Sequence, residues 1–446
     1  STHNAGAIFM TGGQIVFTSG TMTITSSFFR SGGIGDFDNG TIIAAGGLNQ
    51  ALEGIYGSVN DLTINKSDAV GISTLGTVNV LGTLSLIDGI INGSGTLEAR
   101  GPVVIASAFG NSSSGGGGGT IAFRNGSGPR TITLPVGSRL PALVINDPQV
   151  VVDTDGAGTI NLDDFTLNAG SVEIGVTDLI VGYTTAVQGS AYNQTGGSFN
   201  ISTGNIIWNT AGNFTMGNGT FNAGSGSVAL GGGQFTLSGG TFTPSTGSNT
   251  FGLSLNTSFN QSGGIFAPGA GTVDVNGVFN LSGGTFNAPA GNMFVGFNFT
   301  HTAGTFNHNQ GTLIFDSSHP AFGHNLPGNP GTGQFHNLVF ALTTDNASVT
   351  LGDDTWVASG DITISNGQVA FGILRPERNF TVGAGADGGD ARVSFTGSAA
   401  QTFQNNGGVN LTGTFTVDKT SGTVTAASDL LLGTSQALNV SSGTLY

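Results

Sequence analysis

The densest acids in this chain, Asp153, Asp155, Asp163 and Asp164, lie in the run DTDGAGTINLDD (153–164). Read as a calcium loop, the run offers oxygen ligands at Asp153, Asp155, Asn161 and Asp164, with Gly158 at the bend. Ala157 stands where a further ligand is expected. The flanks VVV and FTLNAG read as strands, whereas a helix-flanked calcium loop needs helices. The competing reading is an acidic turn. Asp353, Asp354 and Asp361 form a second group, and Asp387 and Asp390 a third; both also read as solvated loops.

The six histidines are His3, His301, His308, His319, His324 and His336. His301 and His308 are seven residues apart, and each follows a Phe by two positions. That spacing suits outward polar decoration better than two ligands of one metal. Glycoside hydrolysis needs two carboxylates on one face, and sugar-acid lyase chemistry needs a base and a charge neutraliser. Between residues 179 and 315 the only Asp, Glu, Lys or Arg is Asp274, so that region hosts neither centre by itself. There is no Cys to act as nucleophile, and no GxSxG elbow joins a strand to a helix. The chain reads as a non-enzyme without a cofactor. The sequons at Asn213, Asn280 and Asn298 are common in so Asn-, Ser- and Thr-rich a chain. The Thr-rich strand TMTIT (21–25) does not recur at a fixed period, which argues against an ice-binding array.

What must position these groups is a repeat. The phrase aromatic, polar, polar, small, Gly, small, Phe recurs six times. Its leading aromatics are Tyr192, Phe214, Phe235, Phe259, Phe279 and Phe299. Its closing aromatics, seven residues on, are Phe199, Phe221, Phe242, Phe266, Phe286 and Phe306. A third apolar residue often follows after seven more, at Ile206, Val228, Val273, Met293 and Leu313. The period of about 20–24 residues thus divides into three short strands with glycine at the bends. That predicts an all-β, parallel β-solenoid of roughly triangular section, its Phe residues stacked in ladders inside. Serial β-sandwich or hairpin modules are the alternative.

A longer repeat overlays the first. LTIN (62–65), LVIN (143–146), LVFA (338–341) and FTVD (415–418) look alike, and each follows a Gly-rich or Gln-containing stretch. The organisation expected is two longer β modules in 1–185, regular Phe/Gly-rich coils in 186–318, and two more modules in 319–446. About 20 coils at the strand spacing of about 4.8 Å would make a rod of about 100 Å.

Composition agrees. Of 446 residues, 79 are Gly and 31 are Phe; 8% are charged and 37% apolar, enough for a large core despite the low charge. Net charge is −15, and none of the ten Lys and Arg lies between Arg139 and Arg375, so no cationic surface for nucleic acid is built. No apolar run has the length of a membrane helix.

Phrases such as FNHNQGTLIFDSS (306–318), GGTIAFRNGSGPRTITLP (118–135) and TFTVDKTSGTVTAASDLLL (414–432) resemble bacterial secreted β-strand-repeat surface proteins, in the style of autotransporter passengers and filamentous adhesins. The resemblance implies export to the cell surface or matrix and a structural or adhesive role, and it carries over no catalytic residues. The N-terminal AIFMTGGQIVFTSGTMTIT (7–25) and the C-terminal SSGTLY read as β repeats and not as caps. Two expectations fit: a piece of a longer protein, or subunits stacked end to end through open β-edges as a homopolymer. The second gives the leading function, a subunit of an extracellular filament or matrix. A monomeric adhesin stalk that binds surface glycans is the second reading, and a carbohydrate-active β-helix enzyme the third.

Overall fold

Every seventh residue in the Phe-rich phrase can face one axis only if the chain turns a corner between strands. Glycine supplies the corner. In the coils of residues 192–306 the second residue of each Gly pair, or of its equivalent, takes a positive φ: Gly197 (66°), Gly219 (86°), Gly240 (74°), Gly264 (64°), Gly284 (75°) and Gly304 (87°). L-residues with a Cβ rarely adopt that backbone. The strand therefore bends there, and the aromatics on either side both point inward.

The computed structural model describes the chain except residues 1, 18, 54–56, 68–69, 75, 111–117, 182–190, 209–211, 227, 231–232, 246–249, 254–257, 268–271, 317–323, 326–334, 344–346 and 433–435. It is an all-β parallel solenoid. By contacts the chain divides into two compact units, Ser1–Gly231 and Gly232–Tyr446.

In the first unit, strands pair in parallel with the strand of the following coil. Thr21–Ile24 pairs with Phe28–Gly46, Ala142–Thr154 with Phe165–Ile174, and Ser198–Ile201 with Thr220–Asn222. In the second unit Phe259–Phe266, Phe279–Asn287 and Phe299–Asn307 stack in the same way, with Phe259 opposite Phe279 and Phe279 opposite Phe299. Hairpins would pair antiparallel, so parallel stacking removes the sandwich alternative. Burial alternates along the strands, as in Thr272–Val275 and Thr312–Phe315, so one face of each lines the core. LTIN, LVIN, LVFA and FTVD all lie in such strands, and their first residues, Leu62, Leu143, Leu338 and Phe415, are buried. Among the described residues no helix is long and apolar enough to cross a membrane.

Candidate functional site

Within each unit the two sets of aromatics form two inner ladders. In the first unit Phe165, Tyr192 and Phe214 stack in turn, at 5.4 and 4.5 Å between ring centroids, and Phe199 stacks on Phe221 at 5.1 Å. In the second unit Phe235, Phe259, Phe279 and Phe299 stack at 4.9, 5.2 and 4.8 Å. Beside them Phe242, Phe266, Phe286 and Phe306 stack at 5.6, 4.6 and 5.5 Å. Within each coil the two rings meet edge to face, as Phe279 and Phe286 do at 4.9 Å and 80°. Stacking along one direction and edge contact across it satisfy the ring quadrupoles in both. All twelve aromatics are buried. Ile206, Val228, Val273, Met293 and Leu313 are buried on the third face. The second unit's ladders continue into Phe335 and Trp356, themselves stacked at 5.1 Å.

A polar element missed in the sequence lies between the ladders. Gln194 and Gln261 are fully buried, two residues after a leading aromatic. Each turns its amide into its own Gly bend. Gln194 Nε2 donates to the carbonyls of Gly196, Gly197 and Thr220, and Gln261 Nε2 to those of Gly263, Gly264 and Thr285. The phrases YNQ and FNQ were the available signal. Tyr192 Oη donates to Gln194 Oε1 at 2.8 Å, whereas Phe259 leaves Gln261 Oε1 buried without a partner. Phe259→Tyr is therefore expected to stabilise the second unit by about 0.5–1.5 kcal/mol. A lower denaturation midpoint than the parent's would show that the coil has no room for the hydroxyl.

The acids of the calcium-like run do not converge. Asp153 Oδ1 accepts from the Thr154 N–H, Asp155 Oδ1 from Val136 N–H and Asp164 Oδ1 from Ala191 N–H. Asn161 lies on Thr159–Leu162 with its Oδ1 buried and unpartnered. Among the described residues no three His, Asp or Glu side chains are placed to share a metal. The duty of Asp155 and Asp164, 19 and 27 residues from their partners, recurs elsewhere. Asp61 accepts from Thr83 N–H, Asp178 from Asn205 N–H, Asp361 from Asn379 N–H and Asp390 from Phe371 N–H, at 2.6–2.9 Å. These carboxylates cap backbone groups of a neighbouring coil's bend. Asp353 and Asp354 lie in the turn before Thr355–Ala358, and Asp387 in Phe380–Gly388. Neither joins a cation cage.

His308 and His336 stack at 5.7 Å beside a cavity of about 10 Å³, room for about one water. His308 Nδ1 accepts from the Gln310 N–H, and His336 Nδ1 meets Ser359 Oγ at 3.1 Å. Burial and the neighbouring His336 hold His308 below its ordinary pKa. His301 occupies the Gln261 position of its coil, its Nε2 3.3 Å from Gly304 O. His3 is exposed and edge-on to Phe17. His319 and the His324 side chain lie outside the described residues. Of the sequons, Asn213 is exposed, while Asn280 and Asn298 are half-buried. Thr21 and Thr23 face outward, opposite Thr41 and Ile43.

Asp274 and Asp316 come nearest to a carboxylate pair. Each has a buried Oδ1 without a partner. Burial, and then the charge of Asp274, push Asp316 up to about 6 from 3.8. A carboxyl whose pKa is raised in the fold adds stability below its unfolded value and loses it as pH rises through the folded one. The protein is thus expected to lose stability between pH 3.8 and about 6. Asp316→Asn should flatten that decline and be the more stable at pH 7. Identical pH profiles of the denaturation midpoint for the two proteins would contradict this assignment.

Comparison with protein-family models, with curated proteins and with solved structures finds no match.

Proposed function

We propose that this protein is a structural, non-enzymatic subunit of an extracellular filament or cell-surface matrix, and that copies join end to end through an open β-edge. The strand Leu438–Leu445 carries this reading. Among the described residues it pairs on one side only, with Phe415–Ala426. Its Leu438 and Val440 stand opposite Phe415 and Val417, which are 1% and 2% exposed, yet they are themselves 38% and 50% exposed. Among the described residues that strand is an edge, and its core-type side chains are left uncovered. Such an edge pairs readily with another strand. A second copy of this chain supplies a parallel coil of matching spacing, and a head-to-tail interface whose rotation does not close builds an open filament.

The repeat style shared with secreted surface proteins supports the location. A core built from ladders, with acids spent on capping bends, supports a scaffold over a catalyst. Negative-stain electron microscopy of the purified chain, with light scattering across a concentration series, tests the reading. Filaments are expected from the parent, and Val440→Lys should shorten or abolish them by placing a charge in the joint. Monomers at every concentration would overturn end-to-end assembly and favour a monomeric stalk.

A further inference from the structure

The position that follows LTIN, LVIN, LVFA and FTVD is filled by Lys66, Asp147, Leu342 and Lys419. All four are buried. Each is roofed by a later glycine at positive φ, namely Gly89, Gly170, Gly367 and Gly443, whose added Cβ would strike it at 2.6–2.8 Å. The slot is thus the same in all four modules, and only its chemistry varies. Leu342 makes it apolar. Asp147 makes it ionic, through Arg130 Nη2 at 2.8 Å. Burial opposes the Asp147 charge, but the N–H groups of Gln149 and Gly126 and the Arg130 guanidinium outweigh it and hold that carboxyl below its usual range.

The two lysine slots are unlike either. Lys66 Nζ donates to Gln50 Oε1 at 3.0 Å and to Ala45 O at 2.8 Å. Lys419 Nζ donates to Gln401 Oε1 at 2.6 Å and to Thr396 O at 3.3 Å. Both glutamines are anchored in turn, Gln50 Nε2 on Ile24 O at 3.1 Å and Gln401 Nε2 on Pro376 O at 2.7 Å. All four side chains belong to residues 1–2% exposed. Among the described residues the ion pairs are Arg100–Glu98 and Arg130–Asp147, so neither lysine has a counter-charge. A buried ammonium with only neutral partners is costly. A lysine that has lost its charge is not.

We propose that Lys66–Gln50 and Lys419–Gln401 are sites of intramolecular amide cross-linking. In each, the lone pair of the neutral Nζ attacks the carboxamide Cδ. The Nζ–Cδ bond forms, the Cδ–Nε2 bond breaks, and a proton passes from Nζ to Nε2, which leaves as ammonia. The step needs no oxidant and no cofactor. Burial lowers the pKa of both lysines, toward the neutral amine that attack requires. Ala45 O and Thr396 O hold the amine against its target, and Ile24 O and Pro376 O hold the departing nitrogen. Contacts fixed in this way are what proximity contributes to such a reaction. The slot of the second module is inert by the same logic, since a guanidinium stays protonated. The links would tie residues 16 and 18 apart in a chain that has no Cys for disulfides.

Intact-mass spectrometry of the purified full chain tests the proposal, whether or not the chain polymerises. The expected mass is below the sequence mass by one ammonia, about 17 Da, per link. Proteolysis should release branched peptides that join residue 50 to 66 and residue 401 to 419. Lys66→Met should restore one ammonia, and Gln50→Glu should change that loss to one water, about 18 Da. If a variant fails to fold, the parent's branched peptides decide. The sequence mass, with both lysines open to an amine reagent once the chain is denatured, would overturn the proposal even after long incubation at mildly alkaline pH.

Discussion

Truncation of Phe279 to alanine is expected to destabilise the Phe-rich coils of the second unit by about 3–5 kcal/mol. The ring is fully buried. It stacks on Phe259 and Phe299 and meets Phe286 and Phe306 edge-on. Its loss removes apolar burial and leaves a cavity that the stacked backbones above and below cannot collapse to fill. It also removes aromatic pairs worth about 0.5–1.5 kcal/mol each beyond their area. In a solenoid, stability is roughly a sum of coil and interface terms, and a missing rung weakens the interfaces on both sides. Phe279→Leu, which keeps much of the volume, should cost clearly less. Hydrogen exchange is the better readout, because coils can open without global unfolding. Amides of 259–307 should lose protection, while distant coils keep theirs. Unchanged protection in the alanine variant would mean that the ladder does not carry the core.

Gly284→Ala should cost upwards of about 3 kcal/mol although it adds one carbon. Gly284 has φ +75°. A Cβ there would lie 2.5 Å from the carbonyl carbon and oxygen of Gly263 and 2.5 Å from Gly264 O. Those are backbone atoms of the adjacent coil's own bend, so the clash is relieved only by prising two coils apart. Gly291 is the control. It has nothing within 4 Å of its added Cβ and no positive φ, and Gly291→Ala should be neutral or slightly stabilising. Thermal or denaturant midpoints of the two variants should separate widely. Equal midpoints would show that the bends tolerate a side chain, and that coil stacking is looser than the contacts imply.

The parts of this fold that were legible in the sequence share a cause. Phe259, Phe266 and Val273 stand seven apart because each turns inward on one face of a coil, and that spacing lies within one local stretch. The calcium-like run failed for the complementary reason. Asp155 and Asp164 looked like ligands of one ion because they are near in sequence, yet each is committed to a backbone N–H 19 or 27 residues away. Lys66 and Gln50, or Lys419 and Gln401, gave no signal either. Their meeting depends on register between faces, set by the lengths of the bends between them.

Sequence alone determined that the chain coils, where it bends and which residues face inward, because side-chain alternation and glycine's backbone freedom act over a few neighbouring residues. The tertiary structure decided which polar groups meet. Parallel stacking brings together residues about a coil apart, and a shift of one position in a bend would exchange every such partner.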